Sequence, residues 1–153
     1  MAPQVLGLSE MHGTMANFWE DAKSNADNLL SLLDRSAAPD VKIHIVGQEF
    51  QLARDLDSLQ ALKDYFQATL LPAFLGSLDT TKPMSHEHVS LISGADGEWH
   101  AMEMKGTATA KNGKPWVNET LLVVRSNSEG RWVEVKVYMD TLHLQNHLLQ
   151  ASK

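Results

Sequence analysis

From Glu87 to Met139 the chain runs as four alternating stretches, Glu87–Ile92, Glu98–Ala110, Pro115–Arg125 and Arg131–Met139. The links between them are Ser93-Gly94-Ala95-Asp96-Gly97, Lys111-Asn112-Gly113-Lys114 and Ser126 to Gly130, each with a glycine. A parallel crossover needs about a dozen residues or more. These turns are too short for that, so the stretches predict antiparallel hairpins in series. Such a meander has an apolar face that the rest of the chain must cover.

The cover comes from before the meander. Met15, Phe18, Trp19, Ala22, Ala26, Leu29, Leu30 and Leu33 recur at spacings of three and four, which predicts an amphipathic helix. Thr14 is its expected N-cap, and Ser36 to Pro39 its end, because the residue before a proline avoids the α region. Val41 to Val46 reads as a strand, broken at Gly47, with Gln48 to Leu52 as a short second strand. Asp57 and Gln60 have capping-box spacing ahead of a helix whose stripe is Leu59, Leu62, Phe66 and Leu70. Pro72 marks its end or a kink. A last helix, Thr141–Gln150, carries Leu142, Leu148 and Leu149. The expected class is α+β: a curved antiparallel sheet wrapped around long N-terminal helices, forming a cone with an internal pocket.

Composition narrows the function. The 153 residues suit one domain, read as a loose arm over 1–13 and a single cone over 14–153. A net charge of −6 argues against nucleic-acid binding, which needs a basic face. The absence of cysteine excludes thiol catalysis, disulfides and Cys-based metal sites. No apolar run approaches the ~20 residues of a membrane span, and Met1 to Met11 lacks the pattern of a secretory signal. The chain reads as a soluble, cytoplasmic protein without membrane or nucleic-acid partners.

The stretch Gly113-Lys-Pro-Trp-Val-Asn-Glu-Thr-Leu-Leu-Val-Val-Arg125, followed by Gly130-Arg-Trp-Val-Glu-Val-Lys-Val-Tyr-Met-Asp140, resembles the last two strands of the SnoaL-like proteins. These belong to the nuclear transport factor 2-like superfamily, with ketosteroid isomerase, scytalone dehydratase and limonene epoxide hydrolase as relatives. The element order matches over roughly residues 14–150. The resemblance implies a cofactor-free protein with no metal and a small-molecule substrate, commonly a homodimer through the outer sheet face. Met102 and Met104 are expected on that face, although they also read as core. The superfamily holds isomerases, dehydratases, hydrolases, cyclases and non-enzymatic binders, so the fold does not give the chemistry.

Carried onto this sequence, the resemblance implies an acid at Asp140, which equally reads as the N-cap of the last helix. His44 falls where ketosteroid isomerase has its proton-shuttling Asp, and an imidazole suits that task. It shares a strand face with Lys42, so a solvated face is the other reading. Asn118 matches a substrate-binding Asn of scytalone dehydratase, or simply bonds across the sheet. Leu122 stands where the steroid isomerase has its oxyanion-stabilising Asp, against a steroid-isomerase mechanism. Glu103 and Lys105 occupy places where the epoxide hydrolase has Arg and Asp, with the charges swapped. They form either an acid–base cluster with Asp140 or a solvated face.

Trp19, Tyr65, Phe66, His100, Trp116 and Tyr138 are the expected substrate-binding residues, with ordinary core packing as the alternative for the aromatics. Together they suggest a pocket for a flat or polycyclic ligand. His86 and His88 form a His-x-His pair, read as solvated or, with a third ligand, metal-binding. His143 and His147 read as surface. The leading expectation is acid/base isomerisation, cyclisation or dehydration of an apolar, oxygenated molecule of polyketide or terpenoid type. Water addition to an epoxide or lactone by Asp140 with Glu103, and a non-catalytic binding or dimerisation module, are the alternatives.

Overall fold

The amphipathic stripe near the N-terminus is realised as two helices, not one. In the computed structural model, which describes residues 5–16 and 18–148, α1 (Leu8–Ala16) is followed by a 3-10 turn (Phe18–Asp21) and α2 (Ala22–Ser36). Asp21, not Thr14, caps α2; its carboxylate accepts the Ser24 N–H at 3.1 Å. The expected loose arm is instead tied down from Val5 onward. The Leu6 N–H donates to the Gly130 carbonyl at 2.9 Å, the Trp132 indole donates to the Leu6 carbonyl at 2.6 Å, and Leu8 is buried. Gly7 is needed there: its φ is +76°, and a Cβ would collide with Ser36. Residues 1–4 of the arm lie outside the described residues.

At Ala37 the backbone becomes extended, and β1 (Ala37–Ile45) begins directly. Gln48 to Leu52 forms no strand; the short strand is β2 (Arg54–Leu56), pairing antiparallel with β1. Ser58 rather than Asp57 caps α3 (Leu59–Tyr65), accepting from the Ala61 N–H at 3.0 Å. Gln60 bonds Asp64 instead, one turn on. Pro72 does not end the helical run. A π-helical turn (Phe66–Leu70) precedes α4 (Leu71–Ser77), and the Leu71 N–H reaches back to Phe66. The wider turn accommodates a residue without an N–H.

The meander forms as expected: β3 (Ser85–Ser93), β4 (Trp99–Thr109), β5 (Pro115–Ser126) and β6 (Trp132–Met139) pair antiparallel in sequence. The full sheet has six strands in the order β2-β1-β6-β5-β4-β3. It is mixed, not wholly antiparallel, because β1 lies parallel to β6, with Ile43 opposite Val135. These two strands are joined by most of the chain, so no hairpin sets their relative direction. Helix α5 (Thr141–Leu148) closes one end; positions 149 and 150 of its expected span lie outside the described residues.

The inner face packs Ile43, Met102, Leu122, Val124 and Val135 against Leu29, Leu32 and Leu33 of α2. Met102 is 0% and Met104 7% exposed, so both belong to this core and not to an outer dimer face. A second cluster gathers Phe50, Leu52, Leu78, Trp116 and Leu144 under α5. Among the described residues no helix is long and apolar enough to cross a membrane.

Candidate functional site

Strand register builds the site. His86 on β3 lies opposite Gly106 on β4, and Gly106 lies opposite Asn118 on β5. The three form one row across the inner face, with the middle position bare. Adjacent strands are about 4.8 Å apart, so His86 and Asn118 flank a gap of roughly two strand spacings. Trp116, two residues before Asn118, shares the face. A Cβ built on Gly106 would lie 3.5 Å from Trp116 Cζ3 and 3.6 Å from His86 Nδ1. Phe74 of α4 meets Trp116 edge to face, ring centres 6.0 Å apart.

Above this row lies a cavity of about 110 Å³, roofed by Met15, Phe18, Trp19, Leu29 and Phe66. Both ring nitrogens of His86, the Trp116 indole nitrogen and Asn118 Oδ1 are buried with no hydrogen-bond partner among the described residues. Buried polar groups are nearly always paired, so several unmet atoms in one wall call for an explanation. Among the described residues no Asp, Glu, Lys or Arg lines the cavity. Burial, and next the nearby His12, hold the His86 pKa below its ordinary value. At neutral pH His86 is therefore an uncharged imidazole with one donor and one acceptor nitrogen. The arrangement offers a base, a donor and an acceptor in an apolar surround.

Of the expected residues, Trp19, Phe66, Trp116 and Asn118 meet in this cavity. A different set lies on the opposite face of the sheet. Glu103, Lys105, Tyr138 and Asp140 line an open outer groove of about 550 Å³. Alternation puts Met102 and Met104 inward, hence Glu103 and Lys105 outward. Glu103 accepts from Ser90 at 2.9 Å, and Lys105 sits 3.9 Å from Glu119. Asp140 accepts the His143 N–H at 3.1 Å, as a helix cap does. His44 also faces outward, 42% exposed in its side chain, and its Nδ1 lies 2.9 Å from Asp55. Ile43 and Ile45 take the inner face of that strand.

The other expected contacts are taken up within the protein. Tyr65 is buried, and its hydroxyl donates to the Leu52 carbonyl at 2.8 Å. Burial raises its pKa, against the opposing charge of Arg54. His100 is buried with Nδ1 3.1 Å from Ser93 and Nε2 3.1 Å from the Gly97 carbonyl. It holds the β3–β4 turn, away from the cavity. His143 and His147 are not simply surface residues. His143 Nε2 accepts the Val117 N–H at 3.1 Å, and the two rings lie 4.4 Å apart.

His86 is the residue the sequence pattern did not single out for the cavity. Its pairing with His88 suggested solvent or metal, and its position depends on register with Gly106 on the next strand. The available signal was a glycine in the interior of a strand, which often marks close approach of a ligand. Among the described residues no three His, Asp or Glu gather as a metal site.

No protein-family profile and no curated protein matches the chain. Solved structures do. An NTF2-like protein of unknown function from Exiguobacterium sp. 255-15 is 15% identical, with 88% of this chain and 98% of that one covered and a TM-score of 0.58. A protein of Bacillus subtilis provisionally named an isomerase is 16% identical, covering 92% and 91%, with a TM-score of 0.62. PrhC from Penicillium brasilianum is 15% identical, covering 92% and 90%, with a TM-score of 0.59. The chain therefore has the α+β cone fold of the NTF2-like proteins, some of whose members carry isomerase names.

Proposed function

We propose that the protein is a cofactor-independent, cytoplasmic enzyme of proton-transfer chemistry. It isomerises, cyclises or dehydrates an apolar, oxygenated metabolite of polyketide or terpenoid type. The observation that carries this reading is the set of buried, unpartnered polar atoms on His86, Trp116 and Asn118, three residues that line one apolar cavity. The catalytic group differs from the His44 and Asp140 that the resemblance implies, because those two face outward.

Neutral His86 takes a proton from the carbon beside a substrate carbonyl. The C–H electron pair moves into a C=C bond, and the carbonyl oxygen gains the charge. The Trp116 N–H donates to that oxygen, and charge-directed donors in a dry site are effective catalysts. Asn118 orients a neighbouring hydroxyl. The imidazolium then returns its proton to a second carbon, giving an isomer, or to a departing hydroxyl, giving water and an alkene. Water addition led by Asp140 and Glu103 has less support, since their groove is open to solvent and lies across the sheet from the cavity.

The test is deuterium exchange from D₂O into a panel of cyclic ketones and enones, read by mass spectrometry. Exchange with the parent protein, reduced about 10²-fold or more in His86→Ala, is the expected result. Panel-wide absence of exchange, with ligand still bound, would favour a non-catalytic binding module.

A further inference from the structure

Gly106 sits in mid-strand with no requirement for glycine in its backbone, since its φ is not among the positive values. Nor is it there to avoid a clash. The atoms nearest a Cβ there belong to Trp116 and His86, at 3.5–3.7 Å, ordinary contact distances. Alanine therefore fits, and suits a strand better. What glycine leaves is space, at the midpoint between His86 and Asn118 and under the Trp116 ring.

We infer that Gly106 determines what the cavity accepts: one uncharged, planar ring bearing a hydroxyl, seated in the notch between His86 and Asn118. This deepens the proposed function and rests on it for the identity of the site. The size follows from the volume. About 110 Å³ is the scale of a single ring, given that an apolar cavity of roughly 150 Å³ takes benzene. A polycyclic ligand, as the aromatic count suggested, would place only one ring here. The neutrality follows from the lining, whose described residues hold no Asp, Glu, Lys or Arg and whose one imidazole is uncharged at neutral pH, so a carboxylate or ammonium would enter without a resident counter-charge. The hydroxyl follows from the unmet atoms. Its O–H donates to Asn118 Oδ1 or to the bare nitrogen of His86, and its oxygen accepts from the Trp116 N–H.

The probes are phenol, toluene and benzoate, titrated at pH 7.5 while the indole N–H resonances are followed by NMR; Trp116→Phe identifies the relevant peak. Phenol is expected to shift that resonance saturably. Toluene should bind at least tenfold more weakly, and benzoate should leave the peak unmoved. Gly106→Ala is expected to weaken phenol tenfold or more with an unchanged or higher melting temperature, and Gly106→Val to abolish binding. No saturable phenol shift, equal binding of benzoate, or a Gly106→Ala protein that binds phenol within twofold of the parent would each overturn the inference. So would a sharp fall in melting temperature for Gly106→Ala, which would make the glycine structural. Selective phenol binding without any deuterium exchange would sink the catalytic reading alone. Exchange that ignores Gly106→Ala would sink this one alone.

Discussion

Asn118 is buried on the inner face with its carbonyl oxygen unmet, and Trp116 is buried with its N–H unmet. An unsatisfied buried polar group costs about 1–3 kcal/mol. Replacing such a group by an apolar one of similar size is therefore expected to stabilise the chain. Asn118→Leu, close in size, is expected to raise stability by about 1 kcal/mol in urea titration while abolishing phenol binding. A loss of stability would mean that Asn118 serves the fold. The histidines add a pH dependence. Burial, then His12, depresses His86; burial, then His143 and Lys114, depresses His147. A depressed imidazole takes its proton more readily in the unfolded chain. Stability should therefore be full above the ordinary histidine pKa, about 6.5, and fall as pH drops below it toward the folded values. Melting temperatures between pH 7.5 and 5 check this, and His86→Phe should flatten part of the slope. A slope unaltered in that variant would remove His86 as a cause.

At the scale of elements, local signals succeeded where side chains act on their own backbone or alternate across a sheet. The meander strands and their glycine turns appear where alternation put them. Helix starts were displaced because several Ser, Thr and Asp residues compete for each cap. Ser58 took the role expected of its neighbour Asp57, and Asp21 the role expected of Thr14. At Asp140 the cap reading is realised in the structure. Asp140→Ala is expected to cost about 1 kcal/mol. Asp140→Asn, which keeps the acceptor, should cost much less. Equal losses in guanidinium titration would mean that the charge, not the hydrogen bond, holds α5.

At the scale of the whole molecule, the sheet has two faces with different tasks. The inner face carries the core and the cavity. The outer face carries charged groups together with exposed Val89, Ile92 and Tyr138 at 58%, 52% and 42%. We propose that this outer face pairs two copies of the chain as a homodimer. Light scattering should give twice the 17.0 kDa chain mass, and Tyr138→Glu should return it to one. A parent protein of single-chain mass would end the dimer proposal. Phenol binding should survive the variant, since the cavity lies across the sheet.

The sequence by itself determined the class of fold, the antiparallel meander and the inventory of possible chemistry, for these follow from period-two alternation, short turns and residue types. Alternation also separates His44 from Ile43 and Glu103 from Met104, but it does not say which set faces inward. That was decided by the tertiary structure, where the more apolar set of each strand packed against α2. The parallel β1–β6 pair arises from contact between segments distant in the chain, and the His86–Gly106–Asn118 row from the register that three successive strands adopt together. A site built from three strands depends on register, and register is a property of the assembled sheet.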